Sequence, residues 1–415
     1  MTQLRFSLSR HTGDALWLLV GAAVTAKVLV KGDERSVYPI FATATHNWWA
    51  GISMYQEVGE TDLYRYSPVF SVFFTPFAMH ETWSHISWIL ASMALMYYAC
   101  RQFYAELIKP QLTQETDGTL NLFLLLVGLT FVRSVWQGQS NILLMAMILL
   151  ALVALMRGRS WRAAFFLTAT IFIKIWPIAL VLLLATKRWR LIPQCLVIGL
   201  VLAALPFLTQ PPDIVLDQYN AWFRSLILDQ GRRTSYRDFW TLWELFGGIV
   251  NPMVYHLAQL GSGLVIFALS LVVLSRPGSE ASRLFLILSL WVCWQLQIGP
   301  GTERMTYSIF APVIAGAVLV FRDKAWWLLV TSLVLLGIFT HGSLERVFLK
   351  FFPAAEVLIV MSATTYFLWL VWYLLACRPD PGAGAQGRPP SSRPEAAHRR
   401  PDRRPAGPKR RDLAF

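Results

Sequence analysis

Long apolar stretches that carry almost no charge recur along the sequence and constrain its fold more than any other feature. A helix needs about 20 apolar residues to cross a membrane, because each adds about 1.5 Å against a core of about 30 Å. Two stretches, 67–79 and 163–186, are short or interrupted. Ten others are long enough: 14–31, 83–100, 120–135, 141–157, 190–208, 253–275, 282–298, 305–321, 325–341 and 355–377.

These stretches predict an all-α, polytopic integral membrane protein. We expect a bundle of about 10–12 transmembrane helices that includes short or broken ones, since helices satisfy their own backbone groups in lipid. Charged residues make up only 15% of the chain, whereas soluble domains carry about 25%. This composition excludes a soluble cytosolic enzyme and a disulfide-stapled secreted domain.

The interrupted stretch 163–186 contains Lys174 and Pro177 and has a basic cluster on either side. If both clusters are cytoplasmic, the stretch enters and leaves on one side as a broken hairpin with Lys174 near its tip. With 67–79 also re-entrant, the chain crosses ten times and both termini are cytoplasmic. The alternative has both stretches crossing fully, giving twelve crossings.

The net charge of +13 does not indicate nucleic acid, because the basic residues lie mostly in short connecting segments and at the carboxyl end. Residues 378–415 lack the apolar content to fold, and we expect a disordered, basic Pro/Arg-rich cytoplasmic tail that contacts membrane lipids at most. Residues 1–377 form the transmembrane domain. The external loops 31–66 and 209–252 are expected on its catalytic side.

Polar residues at membrane edges are costly to keep and are candidates for function. In the ten-crossing topology they gather on the external side. Carboxylates facing several cations there suit a substrate with a phosphate headgroup on a lipid tail. These polar residues include Asp33, Glu34, Arg65, Tyr66, Gln139, Asn141, Lys174, Glu303 and Arg304.

Each candidate also has a structural interpretation. Asp33 could be a solvated residue after a helix end, Lys174 could form a structural pair, and Gln139 and Asn141 could cap a helix. The histidines and cysteines show no metal-ligand spacing, and we predict neither a metal nor a cofactor.

The order of several motifs resembles the bacterial polyprenol-phosphate-mannose-dependent α-1,2-mannosyltransferases, glycosyltransferase family eighty-seven of the GT-C superfamily. The resemblance covers residues 15–190 best. The matching motifs are Asp33, Tyr38 and Gly51-Ile-Ser-Met-Tyr55; Tyr66-Ser67-Pro68 through Pro76; Gly138-Gln139-Ser140-Asn141; and Arg157-Gly158-Arg159, Lys174-Ile-Trp-Pro177 and Lys187-Arg188-Trp189.

This resemblance implies a GT-C-like fold and inverting transfer of a hexose, expected to be mannose, from a polyprenyl-phosphate donor to a lipid or glycan acceptor. By analogy Asp33 is the catalytic base, with Glu34 as second choice. Binding of the donor phosphate is assigned to Lys174, Arg65 and Arg304. The substrate pocket is assigned to Tyr38, Tyr66, Gln139, Asn141 and Glu303.

The sequence departs from the family pattern in two places: Ser67 stands where a Pro is common, and the turn 299–304 stands where a Ser-Trp-x-His-like group is common. The resemblance further implies an active site on the extracytoplasmic face of the plasma membrane. It requires Asp33 and Lys174 to share one pocket.

A secondary transporter or flippase for a lipid-linked or anionic substrate is the alternative, because broken helices and buried lysines occur in such proteins too. A non-catalytic scaffold, in which both residues are dispensable, is the third.

Overall fold

A computed structural model describes residues 11–55, 63–116, 118–228, 237–340, 342–351 and 357–376. Within these ranges the chain contains helices and no strand, which confirms the predicted all-α class. The predicted tail, residues 378–415, lies outside the described residues.

The described residues form seventeen α-helices. Those of the first half are α1 (Thr12–Lys31), α2 (Tyr38–Trp49), α3 (Pro68–Phe74), α4 (Glu81–Phe103), α5 (Thr119–Trp136), α6 (Ser140–Met156), α7 (Ser160–Ile173), α8 (Ile178–Ala185) and α9 (Leu191–Ala204). Those of the second half are α10 (Pro212–Leu228), α11 (Phe239–Leu245), α12 (Pro252–Ser275), α13 (Glu280–Gln297), α14 (Ala311–Val320), α15 (Arg322–Thr340), α16 (Gly342–Phe351) and α17 (Leu358–Ala376).

Five helical segments are long and apolar enough to cross a membrane: Thr12–Lys31, Thr119–Trp136, Leu191–Leu208, Met253–Ser275 and Leu358–Ala376. Each of the other predicted long stretches is also largely helical. Helices α9 and α12 expose Leu200 and Leu264 by about seven tenths of their surface. Such apolar exposure suits contact with lipid, and the protein is a multi-pass membrane protein.

Two helices, α6 and α13, form the centre of the bundle. Almost every residue of α6 is buried, as are most residues of α13. Helices that are apolar all round are buried on every side. Around this centre, α4 and α7 pack on α6, while α17 packs on α13.

The interrupted stretch is broken where the sequence indicated. Helix α7 ends at Ile173, Lys174 is extended (φ −144°, ψ 136°), and α8 begins after Pro177. Pro177 lacks the N–H needed to continue the helix through this point. The predicted break is confirmed.

The two limbs of this stretch form a hairpin. Helix α7 runs parallel to α9: Gln194 Nε2 donates to Ser160 Oγ (3.0 Å), and Thr168 lies closest to the later residues Cys195 and Gly199. Helices α7 and α9 therefore start at the same end of the bundle. The chain leaves this end along α7 and returns to it along α8.

The short stretch 67–79 forms α3 and a 3-10 turn over Thr75–Phe77. Ser67 bonds to the carbonyl of Phe172 at the end of α7, and Thr75 accepts a hydrogen bond from Trp49 at the end of α2. Its ten helical residues span about 15 Å, too short to cross.

The external segments were predicted only as loops, whereas the structure folds much of them into helices. Helix α2 lies within 31–66, and α10 and α11 lie within 209–252. Trp48 of α2 donates to Thr209, which joins the two segments at the end where α9 finishes. Both therefore cover one end of the bundle.

Candidate active site

The first external segment docks on the turn between α5 and α6, residues 137–139. The backbone N–H of Val37 and the hydroxyl of Ser36 both donate to the carbonyl of Gln137, at 2.9 and 3.1 Å. The carbonyl of Gly138 accepts from Trp88 Nε1 at 2.8 Å. The segment that carries Asp33 is thereby fixed against α4 and α5.

Asp33 lies in the turn that follows α1, and its carboxylate contacts a histidine. Oδ1 of Asp33 is 2.5 Å from Nδ1 of His85. The His85 side chain is fully buried, whereas that of Asp33 is 37% exposed. The Asp33 carboxylate is thus held by a buried residue and remains partly exposed to solvent.

His85 is fixed through both ring nitrogens and one ring face. Its Nε2 is 3.1 Å from Ser36 Oγ, and the ring stacks on Tyr38 at 4.3 Å between centroids. His85 was not among the predicted site residues, because the histidines were weighed only as metal ligands. The signal that could have found it is a histidine near the start of an apolar stretch.

Glu34, the second-choice base, has a different environment. Its side chain is 54% exposed and lies 3.8 Å from Arg35 Nε. Its backbone carbonyl accepts from Lys27 Nζ (3.0 Å), and Lys27 also donates to the carbonyl of Trp136. Lys27 therefore ties this segment to α5, and the Glu34 carboxylate has no contact with His85.

A second group of charged side chains comprises Lys174 and the two residues whose charges act on it. The charges that act on Lys174 are those of Glu303 and Arg65. Arg65 Nη1 is 4.0 Å from Glu303 Oε1, and both side chains are partly exposed. Two cations thus share one carboxylate at the break between α7 and α8. Arg304 follows Glu303 directly and begins a 3-10 segment, Arg304–Phe310.

Tyr66 joins this charged group to the α5–α6 turn. Its hydroxyl lies 2.9 Å from Ser140 Oγ, and its carbonyl accepts from the Tyr55 hydroxyl at 2.7 Å. Burial raises the pKa of Tyr66 above its ordinary value; Ser140 opposes the rise and Glu303 adds to it. Tyr66 consequently stays neutral and able to donate.

Gln139 and Asn141 were open to interpretation as helix caps. Gln139 occupies the N-cap position of α6, yet its side chain makes no capping hydrogen bond. Asn141 is buried, and its Nδ2 donates to the carbonyl of Met305 (3.1 Å), which attaches α6 to the segment after Glu303. Asn141 therefore connects two parts of the site.

The second external segment closes over the same end. Trp222 of α10 donates to the carbonyl of Arg65 (3.3 Å), and Arg237 N–H donates to the carbonyl of Thr302 (2.7 Å). These bonds place α10 beside Arg65 and Arg237 beside the residue that precedes Glu303.

Two groups of residues thus adjoin the α5–α6 turn and the start of α6, and one of them includes His85, which was not predicted. Asp33, Tyr38 and His85 adjoin Gln137 and Gly138, while Lys174, Arg65 and Glu303 connect through Tyr66 to Ser140. Asp33 and Lys174 have different charged partners, so a single pocket that holds both remains a prediction. Among the residues that the structure describes, no cluster of His, Cys, Asp or Glu could hold a metal ion.

The fold and this site define a multi-pass helical membrane protein with ionic groups gathered at one end of its bundle. The model of glycosyltransferase family 87 matches residues 64–300, more than half of the chain. The chain belongs to this family and is a membrane glycosyltransferase. No curated protein matches it. The match extends beyond residue 190, includes Tyr66, Gln139, Asn141 and Lys174, and begins after Asp33.

Proposed function

We propose that the protein transfers a hexose, which we expect to be mannose, from a polyprenyl-phosphate donor to a hydroxyl group of a lipid or glycan acceptor. One observation carries the proposal. A partly exposed carboxylate is held by a buried histidine beside the α5–α6 turn. At the other side of this turn Ser140 bonds to Tyr66, the neighbour of Arg65, and the charges of Arg65 and Glu303 act on Lys174.

Asp33 is the proposed base. His85 engages Oδ1, which leaves Oδ2 to accept the proton of the acceptor hydroxyl. As that proton moves, the acceptor oxygen attacks the anomeric carbon and the bond from this carbon to the phosphate oxygen breaks. Attack from the face opposite the leaving group inverts the anomeric configuration. A phosphate leaves readily, so one base is sufficient.

Lys174 and Arg65 are proposed to bind the donor phosphate and to stabilise the charge that it gains on leaving. Without donor, the Glu303 carboxylate balances these cations. Arg304 is a further candidate for the phosphate. Tyr38, Tyr66, Gln139 and Asn141 are proposed to line the pocket. We propose no metal, cofactor or nucleic acid in the reaction.

We propose that this site faces the extracytoplasmic side of the plasma membrane and that both termini are cytoplasmic. The opposite end of the bundle carries Arg157, Lys187 and Arg188, where α6 and α8 end and before α7 and α9 begin. Short basic segments favour the cytoplasmic face.

A transporter or flippase for a lipid-linked or anionic substrate is the alternative. The hairpin α7–α8, with Lys174 at its break, resembles the discontinuous helices that bind substrates in transporters. Family membership favours the transferase.

Purified protein supplied with labelled polyprenyl-phosphate mannose and crude membrane lipid separates the two. Transfer of label to an acceptor, abolished by Asp33→Asn and retained in Glu34→Gln, supports the proposal. Movement of the labelled donor across the bilayer of a vesicle without transfer contradicts it and favours the flippase.

A further inference from the structure

At the end of the bundle opposite the candidate active site, a cavity of about 250 Å³ lies between the ends of α8 and α12 and the start of α13. We call it the basal cavity. It is lined by three cations and one carboxylate, with leucines as part of its apolar wall: Lys187, Arg188, Arg283, Glu280, Leu184 and Leu274.

The charges of the basal cavity do not balance. Arg188 contacts Glu280, whereas Lys187 Nζ donates to the carbonyl of Leu274 (2.8 Å) and Arg283 Nε to that of Arg276 (3.3 Å). Carbonyl oxygens are neutral partners. An ammonium has three N–H donors and a guanidinium has five, so donors remain for an anion. The cavity therefore suits a phosphate group.

The walls and rim of the cavity indicate that this phosphate belongs to an amphiphile. Leu184 and Leu274 form part of the wall. Just above, the outer faces of α8 and α12 expose Leu182 (55%) and Leu271 (45%), as surfaces in contact with acyl chains do. Basic pockets between transmembrane helices at a membrane face bind the headgroups of anionic lipids.

We propose that the basal cavity binds the phosphate of an anionic phospholipid. Lys187 and Arg188 lie after α8, and Arg283 lies on α13. One phosphate can therefore bridge the two helices. Helix α8 is the returning limb of the hairpin, and at its other end Trp176 contacts Trp291 of α13 (5.1 Å). The bound lipid would hold the C-terminal end of α8, the helix that follows Lys174, against α13.

This site is independent of the proposed transfer reaction, and its test needs no sugar donor. Lipid binding is measured on the purified full chain by native mass spectrometry and by thermal unfolding in detergent. The probes are phosphatidylglycerol, phosphatidylcholine and inorganic phosphate. We expect phosphatidylglycerol to be retained and to raise the unfolding temperature, and the other two to have little effect.

The double variant Lys187→Gln/Arg283→Gln should bind phosphatidylglycerol about 30-fold more weakly, at roughly fivefold per cation. Its matched control, Arg159→Gln/Arg162→Gln, removes the same charge at the start of α7, at the same end of the bundle but outside the cavity. The control should bind as the wild type does.

Glu280→Gln gives a test of opposite sign that does not depend on the double variant folding. Removal of the carboxylate frees Arg188, so phosphatidylglycerol should bind more tightly. Equal losses in the two double variants would show diffuse attraction to a basic face and would overturn the proposal. Inorganic phosphate that stabilises as well as the lipid, or weaker lipid binding in Glu280→Gln, would also overturn it.

Discussion

The carboxylate of Asp33 lies 2.5 Å from the buried imidazole of His85, and this contact joins the first external segment to α4. The family match begins after Asp33. The link between Asp33 and the rest of the site is therefore its contact with His85, which lies within the matched residues. A partly exposed carboxylate that is held through one oxygen is the arrangement that a positioned base requires.

Asp33→Asn should lower the rate of transfer by about 10²–10⁴-fold, because the amide cannot accept the acceptor proton. The amide can still accept the His85 hydrogen bond, so the unfolding temperature should change little. The measurement is turnover of labelled donor at saturating acceptor. Glu34→Gln, at the neighbouring and more exposed carboxylate, is the matched control and should keep near-normal turnover. A larger loss of turnover in Glu34→Gln than in Asp33→Asn would show that Glu34, and not Asp33, is the base.

His85→Phe tests whether the histidine acts through Asp33. The substitution keeps an aromatic ring on Tyr38 and removes the contact with the carboxylate. We expect kcat to fall by about tenfold or more while KM for the donor is unchanged, since an unpositioned base is less effective. The decisive measurement is the double variant: in the Asp33→Asn background, His85→Phe should cost no further activity. An equal cost in both backgrounds would indicate a purely structural histidine.

The sequence was sufficient to predict much of the scaffold. The break at Lys174 and Pro177 was predictable because a charge and a missing N–H interrupt one apolar stretch between two basic clusters. The predicted residues also lie at one end of the bundle, because alternate helix ends meet there.

Pairings between distant residues were not predictable in the same way. His85 lies on α4 and Glu303 after α13, and their partners Asp33 and Arg65 come from another segment of the chain. Such contacts depend on how the external segments fold, and the hydropathy pattern did not predict the helices α2 and α10 within them. The role expected for Arg304 likewise depends on side-chain placement that spacing alone does not define.

If Lys174 binds the donor phosphate as proposed, Lys174→Met should weaken donor binding by about tenfold or more, because a charge-assisted contact is lost. Lys174→Arg, which keeps the charge, should recover part of the affinity. Donor affinity is measured by titration with a non-transferable polyprenyl-phosphate analogue. Unchanged affinity in Lys174→Met would assign Lys174 a structural pairing with Glu303.

Glu303→Gln should have the opposite effect and tighten binding of the same analogue. Glu303 acts electrostatically on Lys174 and lies 4.0 Å from Arg65, so in the proposed mechanism it would compete with the donor phosphate for both cations. Removing one competing charge at this partly exposed position should change affinity by several-fold. Weaker binding in Glu303→Gln would instead show that this carboxylate contacts the sugar or orients the cations.

Gly138→Ala tests the docking of the Asp33 segment on the α5–α6 turn. Gly138 has φ +66°, and a Cβ there would lie 3.2 Å from Ser36 Oγ and 3.5 Å from His85 Nε2. Gly158→Ala is the matched control: its φ is +68°, but its Cβ would meet no atom within 4 Å. Both variants should lose about 1 kcal/mol of stability to backbone strain, measured by unfolding in detergent. Only Gly138→Ala should also lower turnover, because it shifts Ser36 Oγ, which lies 3.1 Å from Nε2 of the His85 ring that holds Asp33. Equal turnover in the two variants would show that the close approach at Gly138 does not position the base.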